Sequence, residues 1–511
     1  MIIILVILAG SIYIAVNVME LVLVRIKATL PEVILGTGVI LAMLEATRRT
    51  VGLPVVILIV VIFLYTLYCN FFPGVFWGPG FSWQRIVGDA WLFPGGIYGT
   101  LLHAIARYAF VFIMLACFLM VGGGSKFFLD LAFALAGRFS GGPAKVAIVG
   151  SSLFGTMSGA SIANVAATGA ITIPMMKSIG YKPYYAGAVE AVASTGGILM
   201  PPVMGMTAFI MADFMGVPYW EICVAAFIPA ILYYVSLFSQ VHFQAKKLKL
   251  IGLPSEQLPS ALKTLMSGWH FILTLVILVY FLGVLRYSPT TACLYALWFL
   301  LVAGMFRKET RWTPRRLVAA VEESIRVQAR VIAVCGAVGA VVTCLMITGM
   351  TLQLTGLLLE ISGGSTFILL VLAAVTCIVL GMGLPSMVAY IMMAVLITPA
   401  LIQMGVPLFC AHLFVFYFAI THVITPPVCT SSFVAAAIAD GPMMKTGFQA
   451  MRLGIVAYIV PFAFVYTPAL VFKATLPEVA LAFLWAVTGV VSISIVPEYE
   501  LCGYPIPHGI F

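Results

Sequence analysis

The sequence predicts an all-α polytopic membrane protein, and three observations carry that expectation. Of 511 residues, 63% are hydrophobic and 8% are charged, against about 25% charged in soluble domains. The apolar residues fall into runs near the ~20 that a spanning helix needs, separated by short basic loops. The chain also repeats itself: a gapless shift of 225 positions lays Ser161 on Ser386, Pro174 on Pro399, Gly180 on Gly405, and Pro201, Pro202 and Val203 on Pro426, Pro427 and Val428. The net charge of +9 would suggest nucleic acid in a soluble protein. Here the cations lie between apolar spans, where they report topology, and imply no nucleic-acid partner. Ten cysteines are scattered singly with no CxxC pair, so they read as small buried hydrophobes and not as ligands of a transition metal.

Taken in order, residues 1–24 make a first span closed by Arg25 and Lys27. The run is long and lacks the basic start of a cleaved signal peptide. Residues 34–44 are too short to cross alone and are expected to be tilted, interfacial or assisted by their flanks. Residues 53–69 span, and 71–96, rich in Gly, Pro and aromatics including Trp77, Trp83 and Trp91, suit a headgroup interface. A span at 97–120 and a shorter helix at 127–137 lead to a basic loop at 138–145.

Between Lys145 and Lys177 lie too few residues for two crossings and too many for one, which predicts a re-entrant hairpin with its tip at 156–161. Both hairpin ends carry cations: Arg138 and Lys145 before it, Lys177 and Lys182 after it. Residues 184–214 again exceed one span and are broken at 194–202, where Pro201 and Pro202 cannot extend a helix. Such a break leaves carbonyls at one half-helix end and amides at the other, able to face a small cation and an anionic group. A plain proline kink with small residues for packing is the competing account.

Residues 224–241 span and end at Lys246, Lys247 and Lys249; spans at 269–285 and 291–306 end at Arg307, Lys308, Arg311, Arg315 and Arg316. Residues 313–330 predict an amphipathic helix on the cytoplasmic surface ahead of a span at 331–346. The second copy follows, with a helix at 352–361, the SGGS loop at 362–365, a hairpin through 381–386 and a span broken around 421–427 by Pro426 and Pro427. Its hairpin ends carry no cation, so the positive-inside rule turns the second copy over relative to the first. An inverted repeat with two re-entrant hairpins and two broken helices at membrane depth is the sequence pattern of a secondary carrier's binding site.

Among polar residues in apolar helices, Glu190 admits an ion-linked role, a structural hydrogen bond to the hairpin or an interfacial position. Asn164, just past the hairpin tip, can bridge backbone groups or reach a ligand. Glu360 reads as interfacial, and His412 and His422 have no carboxylate nearby to make a metal site or relay. The sequence has no HExxH, GxSxG or GxxxxGK[ST] motif, so neither an enzyme nor nucleotide-driven transport is supported, and a purely structural subunit has no need of paired helix breaks. The energy must then come from an ion gradient.

The stretches GTMSGASIANVAATG, IPMMKSIGYKP, AGAVEAVASTGGILMPPVMG and AFIMADFMGVPYWE closely resemble the large membrane subunit of TRAP transporters, the tripartite ATP-independent periplasmic carriers. In the second half, TPRRL, SGG, GMGLP, HLFVFYFAI, ITPPV, GFQAMRLG and VPFAFVYTPAL look like the same family. The phrasing is similar to the TAXI branch with fused small and large subunits, and LEATRRTVG at 44–52 resembles the end of the fused small-subunit region. The resemblance covers about residues 44–476. It implies a sodium-coupled importer of small organic acids in a bacterial or archaeal cytoplasmic (inner) membrane. That importer would have no cofactor besides the coupling sodium ion, and would work with a periplasmic TAXI-type substrate-binding protein. It also implies an elevator-type transport domain. By motif match its sodium sites fall near Ser158, Ser161, Asn164, Ser194, Thr195 and Gly196, and near Gly381, Gly383, Ser386, Thr421 and Thr425.

The resulting domain scheme is a small-subunit-like membrane region at 1–75, an interfacial loop at 76–96, and a transport and scaffold unit at 97–476. The repeats lie at about 97–222 and 322–447, and a divergent C-terminal segment occupies 477–511. Two departures stand out: the region before Leu44 is shorter than the family's fused small subunit, and the closing VPEYELCGYPIPHGIF does not resemble its further helices. Both suggest an incomplete or shortened scaffold. The alternative is a binding-protein-independent carrier of organic anions with a similar two-hairpin plan.

Overall fold

The computed structural model describes residues 2–23, 27–92, 95–254, 256 and 258–500. Arg25, Cys502 and the tail from 501 lie outside the described residues. The chain is nearly all helical, with nine helices among the described residues long and apolar enough to cross a membrane. By packing it forms two units. The first is Met1–Phe110 with Phe209–Gly216 and Ile325–Val406, and the second is Val111–Ala208 with Val217–Ser324 and Pro407–Phe511.

Helix α1 (Ile2–Leu23) packs on α2 (Leu30–Thr50). At 21 residues α2 is long enough to span, which corrects the short run read at 34–44. It starts early because Pro31 fits a first turn and Glu32 folds back to accept from the Thr29 amide (2.6 Å) and hydroxyl (2.7 Å), while Tyr13 donates to its other oxygen. A buried but fully partnered carboxylate does not stop a span. After α3 (Leu53–Tyr68), the segment read as an interfacial loop contains α4 (Trp83–Val87) and a wide turn at Gly88–Leu92. Its tryptophans are not all interfacial. Trp77 is exposed, but Trp83 donates to the Thr37 hydroxyl (2.8 Å) and Trp91 is wholly buried against Gly36, where a β-carbon would come within 2.5 Å of the indole. Helices α5 (Thr100–Ala104) and α6 (Phe110–Val121), joined by a wide turn, make one span.

Helix α7 (Gly124–Ala136) packs on α8 (Gly142–Ser158), and α8 on α9 (Ser161–Ser178). The turn between α8 and α9 is Gly159, at φ 60°, and the extended Ala160, the tip position read from the sequence. Then come α10 (Pro183–Gly196), an irregular break, α11 (Thr207–Met215), α12 (Tyr219–Lys247), α13 (Ala261–Val279) and α14 (Pro289–Gly304). Lys145 does not lie in a loop. It sits buried in the first turn of α8, its Nζ 3.0 Å from His242 Nδ1 and facing the Phe238 ring, while Lys177 donates to the Ala439 carbonyl at 2.7 Å.

Helix α15 (Pro314–Ile347) runs unbroken for 34 residues, so the amphipathic helix and the span expected on either side of Val331 are one element. No glycine or proline separates them. Next are α16 (Met350–Ser362), α17 (Thr366–Gly381), a turn containing Gly383 at φ 79°, α18 (Ser386–Leu396) and α19 (Thr398–Gln403). The chain ends in α20 (Leu408–Thr421), a tight turn at His422–Ile424, α21 (Thr430–Ala439), α22 (Met443–Leu453), α23 (Val456–Tyr466) and α24 (Leu476–Glu500).

The sequence repeat is carried into the backbone. Shifted by 225, α10 coincides with α20 at both ends, and α9 coincides with the stretch from the start of α18 to the end of α19. Gly180 and Gly405 both have positive φ, and the Pro201–Pro202 and Pro426–Pro427 peptides are both cis. The nine described cysteines are all buried and free.

Candidate functional site

The second unit is built around α10, whose residues from Tyr185 to Gly196 are all buried. Such burial is unusual for a helix bearing a carboxylate, a serine and a threonine, and each of these finds partners. Glu190 Oε1 accepts from Ser151 (2.8 Å), Thr168 (2.5 Å) and Ser194 (3.0 Å), and Oε2 accepts from Thr172 (2.5 Å). The donors come from α8, α9 and α10 itself, so one carboxyl group ties both hairpin arms to the helix. Asn164 adds a strut within the hairpin, donating to the Ser151 carbonyl at 3.0 Å. These residues recur at helical spacing: Ser161, Asn164, Thr168 and Thr172 line one face of α9.

One turn from the carboxylate, three helix ends meet on hydroxyl groups. Ser161 is the first residue of α9, Thr195 the last but one of α10, and Ser431 the second of α21. Ser161 Oγ lies 2.9 Å from Thr195 Oγ1, and Ser431 donates to Ser161 at 2.9 Å; all three are buried. Close approach of the backbones makes this possible. A β-carbon on Gly155 of α8 would come within 2.3 Å of Gly197 Cα in the break after α10. The break itself is stapled by phenols: Tyr233 and Tyr234 donate to the carbonyls of Val192 (2.7 Å) and Ala193 (2.9 Å), and Tyr219 to that of Pro202 (2.8 Å).

Of the residues singled out from the sequence, Ser161, Asn164, Ser194 and Thr195 come together here. Gly196 packs under the Tyr233 ring, and Ser158 closes α8. At the other Pro-Pro break, the Thr425 hydroxyl donates to the Thr421 carbonyl (2.7 Å) and lies 2.5 Å from Tyr458 Oη. Gly381, Gly383 and Ser386 form the turn of the other hairpin, in the first unit. Sequence reasoning missed Ser431, because its partner under the repeat shift is Met206. The TSS run opening a half-helix directly after a Pro-Pro break was the available signal.

Half-helices that end on buried hydroxyls inside a multi-span bundle are the architecture of membrane carriers that bind their cargo within the bilayer. Residues 38–479 match the family described as tripartite ATP-independent periplasmic transporter, DctM component, and the chain belongs to that family. It is 26% identical over 372 residues to a putative TRAP transporter large permease protein of Haemophilus influenzae, covering 70% of this chain and 84% of that one. It is 23% identical over 405 residues to the sialic acid TRAP transporter large permease protein SiaM of Vibrio cholerae, covering 76% and 89%. It is also 26% identical over 372 residues to the isethionate TRAP transporter permease protein DctMQ of Oleidesulfovibrio alaskensis, covering 70% of this chain and 56% of that longer one. Among solved structures, the YdaH transporter of Alcanivorax borkumensis aligns over 76% of this chain and 89% of its own, at 16% identity and a TM-score of 0.47.

Proposed function

We propose that this chain is the membrane permease of a secondary active, sodium-coupled importer of small organic acids that receives its substrate from a periplasmic binding protein of the TAXI type. The observation that carries the reading is the meeting of the α9, α10 and α21 ends on Ser161, Thr195 and Ser431. Hard cations such as sodium take oxygen donors of this kind; the C-terminal end of α10 presents the dipole that suits a cation, while the N-termini of α9 and α21 suit the anionic group of a substrate. Relatives named for isethionate and sialic acid support a small acid as cargo. Cations at the ends of the first hairpin and none at those of the second support an inverted repeat with re-entrant hairpins. Glu190 ties the first hairpin to α10, a linkage that suits their displacement as one piece in an elevator cycle.

Proteoliposomes test the reading. With a panel of small carboxylates, uptake should require both an inward sodium gradient and a cognate binding protein. Uptake indifferent to sodium removes the coupling assignment. Uptake indifferent to the binding protein favours the stand-alone organic-anion carrier.

A further inference from the structure

A second site lies in the same unit, at the start of α12. A cavity of about 210 Å³ is lined by Trp220, Glu221, Arg286, Phe472 and Lys473 together with two valines. Trp220 and Glu221 open α12, whose other end carries Lys246 and Lys247; a 29-residue helix is roughly 43 Å long. Arg286 lies between α13 and α14, at the end opposite Arg307 and Lys308. Arg286 and Lys473 are therefore cations at the cation-poor end of this unit, where topology gives them no task.

Their surroundings point to a ligand. Lys473 Nζ is 3.6 Å from the Glu221 carboxylate and 3.7 Å from the centre of the Phe409 ring. Arg286 has no hydrogen bond or ion pair among the described residues, yet its backbone takes the left-handed conformation at φ 56°, as does Phe472 at φ 58°. Two non-glycine residues in that region beside one cavity are an uncommon pairing, of the kind kept at binding sites. The Trp220 wall is fixed, since a β-carbon on Gly283 would come within 2.6 Å of its indole. Two cations facing one carboxylate leave a single positive charge uncompensated.

We propose that this cavity is an anion site that holds the oxygens of one carboxylate or phosphate group between Arg286 and Lys473, with Trp220 and Phe472 against the rest of the ligand. The inference stands apart from the coupling ion and from the translocated substrate. Two sources share this chemistry: a phospholipid headgroup from the adjoining leaflet, and a soluble anion. Calorimetric titration of the delipidated full-length protein with inorganic phosphate probes the second, and native mass spectrometry with phosphatidylglycerol against phosphatidylcholine probes the first. One equivalent of phosphate bound assigns a soluble anion; retention of one phosphatidylglycerol without phosphate binding assigns the lipid. In either arm Arg286→Gln with Lys473→Gln should weaken binding roughly tenfold or more, since it removes charge-assisted contacts. Glu221→Gln should strengthen it several-fold by removing the competing carboxylate, a gain that a merely structural role would not produce and that does not depend on the double variant folding. Binding of neither anion to the wild type, or binding unchanged in both variants, overturns the proposal.

Discussion

Helices α10 and α20 occupy matching places in the two copies of the repeat, and under the shift of 225 they begin and end together. Their interiors differ. Where α10 has Glu190, Ser194 and Thr195, α20 has Val415, Ala419 and Ile420; where α9 has Asn164, Thr168 and Thr172, the second hairpin has Ala389, Met393 and Ile397. All of these second-copy residues are buried. The helix breaks share the Pro201–Pro202 and Pro426–Pro427 pairs, which both copies retain, and so they tolerate either chemistry. A carboxyl group gripped by four hydroxyls has one good geometry and loses several bonds when displaced. The first hairpin is thus bound rigidly to its broken helix by polar contacts that the second copy does not repeat.

Exchanging the chemistry between copies tests this contrast. Val415→Glu, which places a carboxyl at a fully buried apolar position of α20, should have the largest effect, about 4 kcal/mol of lost stability, seen as a fall in the thermal unfolding midpoint in detergent. Glu190→Val should cost about 3 kcal/mol, because hydroxyls on three helices lose their acceptor. Adding Thr168→Met, Thr172→Ile and Ser194→Ala, the residues of the second copy, should restore most of that stability while uptake stays lost. Uptake surviving in the combined variant would reduce the cluster to packing. Gly155→Ala should cost about 2 kcal/mol by forcing α8 off the Gly197 backbone; the equivalent position is the exposed Leu380, where Leu380→Ala should change little. The smallest expected effects come from Ser161→Ala and Ser386→Ala, the first residues of α9 and α18. Each should raise the sodium concentration for half-maximal uptake several-fold with little change in unfolding midpoint, as read by uptake titrations.

Much of the fold is legible because breakers and apolar runs are local signals. The Gly159 turn, the Pro201 and Pro426 breaks and the 225-residue period all follow from residue type alone. The failures have a common physical cause: the partners that neutralise a polar or bulky residue lie elsewhere in the chain. The run at 34–44 reads as too short because the groups that let Glu32 sit inside a span, Tyr13 and Thr29, lie outside that run, and Trp91 reads as interfacial although Gly36 makes room for it. In the candidate site, Ser161, Asn164, Ser194 and Thr195 were visible from the hairpin and break motifs. Ser431 and the tyrosines that staple the break were not, since they arrive from segments tens to hundreds of residues away.

The burial of the cysteines has a practical use. A thiol enclosed in the protein interior reacts slowly with water-soluble maleimides, and all nine described cysteines are of this kind. Once Cys502 is replaced, the chain offers an almost silent chemical background, so a single cysteine introduced at the Gly159 turn or the Gly383 turn could report, by its labelling rate, when each hairpin tip meets water.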